Sequence, residues 1–169
     1  MDTGTWVTVG TSVVAVAGTL AGTVLAGWMH GRTTRAAQTA ADAKARRSEV
    51  LSTVSALVAA LGEHRRAQTV RARARARALA LTGDVVPADE QYTPAVHQTR
   101  SAVTGPSIAL RIICPELADA AQRAVGATFA LRDAESLADV EHLRLQSKFA
   151  CDALVADAGQ LLARPARTA

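Results

Sequence analysis

From Thr3 to Gly31 the chain carries no Asp, Glu, Lys or Arg, and Trp6 and Trp28 bracket the stretch. As a helix, the 23 residues from Trp6 to Trp28 span about 34 Å, close to a hydrocarbon core of about 30 Å. Indole rings favour the headgroup region, so the two tryptophans fit its two edges. The segment therefore predicts a single transmembrane anchor over residues 1–31. Its apolarity is modest, because Thr8, Thr11, Ser12, Thr19, Thr23 and four glycines dilute it. Helical hydroxyls can bond back to their own backbone, which keeps such a span insertable.

Flanking charge sets the expected orientation. Only the amino terminus and Asp2 precede the span, whereas Arg32, Arg35, Lys44, Arg46 and Arg47 follow it. The positive-inside rule places the N-terminus outside and the C-terminal body in the cytoplasm of the cell. The competing reading is a secretory signal peptide cleaved near Val24-Leu25-Ala26. Against it stand the missing basic n-region and an apolar run long for an h-region. Within the span, Gly18 and Gly22 form a GxxxG face that Ala26 extends. That spacing lets two helices approach closely in lipid and makes a homo-oligomer through the span one expectation; it also arises by chance in Ala/Gly-rich segments.

Beyond the span, hydrophobic residues are abundant but aromatics make up only 3% of the chain. A core of Ala, Leu and Val suits packed helices and gives a sheet little support. Residues 32–81 hold no proline and one glycine, Gly62, and predict one long basic helix. Leu51, Val54, Val58 and Leu61 recur at 3-4-3 spacing, with Val50 and Leu57 widening the stripe. Arg65 and Gln68 then take the seam positions, so the pattern is too short for an autonomous coiled coil. Gly83-Asp84 and Pro87 mark a turn, and Pro94 with Thr93 as N-cap predicts the start of a second helix that Gly105-Pro106 should break or kink. Cys114-Pro115-Glu116 resets the chain for a third helix carrying Leu117, Ala121, Ala124, Val125, Thr128 and Leu131. After a corner at 133–136, Leu137, Val140, Leu143, Ser147, Ala150, Leu154 and Leu161 trace a fourth stripe. The expected fold is all-α: a single N-terminal transmembrane helix, a long helix, and an antiparallel helical bundle over 94–163. Residues 164–169 are left as a disordered tail.

Charge is unevenly distributed. Residues 1–81 hold 11 basic and 4 acidic side chains, and residues 82–169 hold 8 and 11. The strongest local signal is Arg65, Arg66, Arg71, Arg73, Arg75 and Arg77, within 13 residues free of acid. Side chains two apart on a helix point about 200° from each other, so these arginines are expected to surround the helix. Such an array suits a diffuse polyanion (DNA backbone or anionic lipid) or an acidic protein partner, and not base reading. The plain alternative is a solvated helix in an Arg-rich composition, partly neutralised by Asp84, Asp89 and Glu90. Cys114 and Cys151 lack metal-ligand spacing and read as small apolar core residues. The four histidines do not converge. No HExxH, GxSxG, Walker A loop or GxGxxG is present, so the sequence points to a protein that is not an enzyme, with no catalytic residue, metal or cofactor.

Gly-Thr-Leu-Ala-Gly (18–22), Ala-Leu-Gly-Glu-His-Arg-Arg (60–66), His-Gln-Thr-Arg-Ser-Ala-Val-Thr-Gly-Pro (97–106) and Ala-Thr-Phe-Ala-Leu-Arg-Asp-Ala (127–134) together resemble the KilB-type proteins of actinobacterial, streptomycete-like conjugative plasmids and integrated elements. The resemblance implies a small membrane-associated protein of intermycelial plasmid spread, harmful to its host when unregulated, with no catalytic residues. Three functions are therefore carried forward. The first is a bitopic, non-catalytic assembly or docking element in DNA transfer. The second is a holin-like or toxic membrane-perturbing protein of a plasmid or phage. The third is a membrane-anchored helical scaffold that binds only proteins.

Overall fold

The computed structural model describes the backbone of residues 4–164 and the side chains of residues 34, 35 and 37–164. Every regular element among them is helical: α1 (Gly4–Thr82), α2 (Val86–Ile113), α3 (Ala118–Phe129) and α4 (Leu137–Ala163). Short 3-10 turns at Pro115–Leu117 and Ala130–Asp133 flank α3. The side chains of the Trp6–Trp28 segment, with Gly18, Gly22 and Ala26, lie outside the described residues, as does the tail from 165. Among the described residues no helix is long and apolar enough to cross a membrane. Contacts divide the chain into two units, Met1–Ala45 and Arg46–Ala169. In the first, the described side chains from Thr34 onward are almost all exposed.

The second unit is a four-helix bundle, and its pairings give the topology. Along the last part of α1, Arg47, Arg65 and Arg73 meet Arg164, Ser147 and Glu141 of the α4 segment in descending order. His64 and Arg71 meet Thr99 and Asp89 of α2 in the same reversed sense. Arg123 and Thr128 of α3 pair with Asp157 and Ser147 of α4. Consecutive helices are thus antiparallel, up-down-up-down.

Local chemistry explains where the helices stop. Gly83 sits at φ +72° and returns its N–H to the Leu79 carbonyl at 3.1 Å, the left-handed cap that a residue without Cβ adopts freely. Asp84 then accepts the Val86 N–H at 2.9 Å and starts α2 eight residues before Pro94, the start expected from the sequence. Pro87 costs nothing in a first turn whose N–H groups have no helical partner. Pro94 and Pro106 lie inside α2, and the helix runs through both. The expected break at Gly105-Pro106 does not occur. Val96, Val103 and Leu110, buried at strict seven-residue spacing, together with buried Ala88 before Pro94, hold the helix against the core on both sides of each missing hydrogen bond. Pro94 is exposed, so Pro94→Ala restores a donor towards the Glu90 carbonyl without disturbing the core. Thermal melting should show a gain of about 1–3 kcal/mol. At α4, Ser136 and Asp139 form a reciprocal capping box, at 3.0 and 3.1 Å.

Val50, Val54, Leu57, Leu61, His64 and Gln68 form the buried seam of α1, at 4-3-4-3-4 spacing. This displaces the expected stripe by about one position: Leu51 is 56% exposed, whereas Leu57 is fully buried. The seam also continues past Leu61 through two polar residues. Ala120, Ala121 and Ala124 of α3 are buried beside Leu110, Cys151 and Leu154. Small residues on the shortest helix let its neighbours come close, which is how a core with few aromatics fills its volume. In α4 the buried set is Val140, Ser147, Cys151, Leu154 and Ala158, and Leu137 is exposed.

Candidate functional site

Past Leu61 the interior changes from apolar to polar. Thr128 donates to the Ala124 carbonyl at 2.8 Å, so its oxygen receives the Ser147 hydroxyl at 2.7 Å, and Ser147 in turn accepts from Arg65 at 3.3 Å. Arg65 therefore points into the bundle and closes a relay of buried hydroxyls. His64, 1% exposed, bonds through Nδ1 to Thr99 Oγ1 at 3.0 Å and meets the Phe129 ring edge-on at 5.1 Å. Burial first, and the Arg100 guanidinium second, push the His64 pKa below the ordinary imidazole value. Cys114 and Cys151 are buried and unbridged, and burial pushes both thiols up.

The structure breaks up the arginine array. Arg71 donates from Nε to Asp89 Oδ1 at 2.9 Å, and Arg75 approaches the other carboxylate oxygen at 3.7 Å. Arg73 reaches Glu141 at 3.8 Å, and Arg66 pairs with Glu63 on its own helix. The arginines point to different sides of the helix, and α2 and α4, packed on it, supply most of their carboxylate partners. Arg77 alone of the six has neither a carboxylate nor a hydrogen-bond partner among the described residues. Of the acids expected to neutralise the run, Asp89 does so, Asp84 caps α2 instead, and Glu141 was not foreseen.

Arg71 and Asp89 are both more than two-thirds buried, and their hydrogen bond ties α1 to α2. Arg71→Gln is expected to cost about 1–2 kcal/mol in urea denaturation, since a charge-assisted bond is lost and Asp89 left half-paired. The same change at Arg77 should stay within about 0.5 kcal/mol, as for an exposed position without partners.

At this end of the bundle α1 extends to Thr82, carrying exposed Leu79 and Leu81. A groove of about 420 Å³ runs between α1, the α1–α2 link and the α3–α4 corner, with Arg71, Arg75, Arg132, Leu79 and Val85 in its walls. No group of His, Cys, Asp or Glu among the described residues could hold a metal ion. Residues missed by sequence reading include Gln68, Arg100, Phe129 and Arg132, which cluster with His64. The only linear hint was His97 standing three residues before Arg100, which places both on one face of α2.

Fold and site together define a helical-bundle protein with a cationic, apolar-edged end. A family model described as KilB plasmid transfer protein matches residues 51–162, nearly the whole bundle. Protein KilB of Streptomyces lividans is 39% identical over 150 residues, covering 89% of this chain and 96% of that protein. The chain belongs to the KilB plasmid transfer protein family. No solved structure matches it.

Proposed function

We propose that this protein acts in plasmid transfer as a non-catalytic docking element, anchored in the cell membrane by Trp6–Trp28 with its bundle in the cytoplasm. Family membership supports the role in transfer. The observation that carries the docking part is the unsatisfied end of the bundle, where Arg77, Leu79 and Leu81 project beyond the paired arginines. Cationic side chains there meet DNA phosphates or an acidic partner, and the leucines supply apolar area to a partner protein. Association of the span through Gly18, Gly22 and Ala26 would multiply such ends.

A salt titration of the full chain on duplex DNA tests the polyanion contact. Binding should weaken linearly on a log–log scale, and changing Arg73, Arg75 and Arg77 together to Gln should reduce the slope by about 2–3. Binding that ignores salt, or none at low salt, rejects a DNA contact. Exposed Leu79 and Leu81 favour a second reading, a scaffold that binds only proteins. In that case plasmid transfer between mating strains survives the triple Arg→Gln change and is lost with Leu79→Ser and Leu81→Ser.

A further inference from the structure

Beside that groove, and sharing Gln68, Arg71 and Arg132 with it, three arginines from three elements line one small recess. It is a cavity of about 100 Å³ lined by Arg71 of α1, Arg100 of α2 and Arg132 of the turn after α3, and no carboxylate lines it. Arg71 and Arg132 are each partly neutralised from outside the recess, by Asp89 and Asp133. Arg100 is held differently. Its guanidinium lies 5.3 Å from the Phe129 ring centroid, and it has no carboxylate partner among the described residues. Stacking on an aromatic face fixes the plane of a guanidinium while leaving its N–H groups available.

The floor carries an independent observation. Gln68 is only 6% exposed and lines the recess, and its side chain has no hydrogen-bond partner among the described residues. No fully enclosed polar side-chain atom is left unpaired among the described residues, so the Gln68 amide reaches solvent where the recess and the groove meet. An anion entering there can replace the water that satisfies it. Burial first, and the nearby Arg100 charge second, hold the His64 pKa below the ordinary imidazole value.

We propose that this recess binds a single phosphate group, as inorganic phosphate or as a terminal phosphate monoester. A tetrahedral oxyanion matches the forked donors of Arg100 and Arg132, and the Gln68 amide can donate from below. The size of the recess suits one such group entering end-on. A diester inside a duplex is flanked on both sides by sugar and cannot be sunk into it. The site uses none of Arg73, Arg75 and Arg77, so it stands or falls apart from the DNA contact described above.

Isothermal titration of the full chain with inorganic phosphate, at constant ionic strength and with chloride as control, tests this. Saturable one-site binding is expected. Arg100→Gln and Arg132→Gln, both at exposed positions, should each weaken it about tenfold or more while the helical circular dichroism is unchanged, and Arg111→Gln, exposed near the far end of α2, should bind as the parent does. Competition by a 5′-phosphorylated oligonucleotide but not by its unphosphorylated form supports a nucleic-acid end as the source. Competition by neither supports free phosphate. Displacement by a duplex lacking terminal phosphates would overturn the monoester assignment. Absence of saturable binding, or equal affinity in folded Arg100→Gln and Arg132→Gln, would overturn the site itself.

Discussion

Leu57→Ala should destabilise the bundle by about 3–5 kcal/mol, and Leu51→Ala, six residues away on the same helix, by no more than about 0.5 kcal/mol. Leu57 is fully buried in the main core cluster, whereas Leu51 is 56% exposed. Buried neighbours such as Ala121 and Ala124 have no side chain long enough to fill the space, so the cavity should persist and the cost should lie high in the usual range. A domain of this size is held by about 5–15 kcal/mol, so one methyl-bearing branch accounts for a large fraction of it. Chemical denaturation of the two variants separates two registers of the α1 stripe. Equal losses would mean that the helix face is rotated from the one described.

The second large effect concerns the proposed anchor. Val16→Arg together with Leu20→Arg should move the protein from the membrane to the soluble fraction and abolish plasmid transfer. Each arginine near the centre of a span costs about 2.5–3.5 kcal/mol on insertion scales. Five hydroxyl residues and four glycines already dilute the segment between Trp6 and Trp28, so little margin is left to absorb that cost. Retention of the double variant in membranes would show that another part of the chain holds it there.

The sequence made some of this architecture legible and hid other parts, for physical reasons. Scarce aromatics, and no proline over residues 32–81, made the helices readable, and Gly83, Pro115 and the corner before Leu137 marked real ends. Pro94 misled, because a proline on the exposed side of a helix anchored by Val96 and Val103 is tolerated. His64 and Gln68 concealed the length of the α1 seam, because both are polar and the partner of His64, Thr99, is distant in sequence. Ser147, already placed on the fourth stripe, is buried as expected. Of the carboxylates that divide the arginine run, Asp89 was legible as a nearby acid and pairs with Arg71 18 residues away, whereas Glu141 belongs to another helix and nothing local announces its pairing with Arg73. Arg100 and Arg132, set apart in sequence, gave no signal of the recess they share.

Protease treatment of intact protoplasts, read by the size of the surviving chain, tests the anchored docking element most directly. The account predicts a membrane-bound chain of full length whose bundle is cut only after the protoplasts are lysed. A bundle digested in intact protoplasts, or a mature chain shortened near Ala26 and recovered outside the cell, would contradict it.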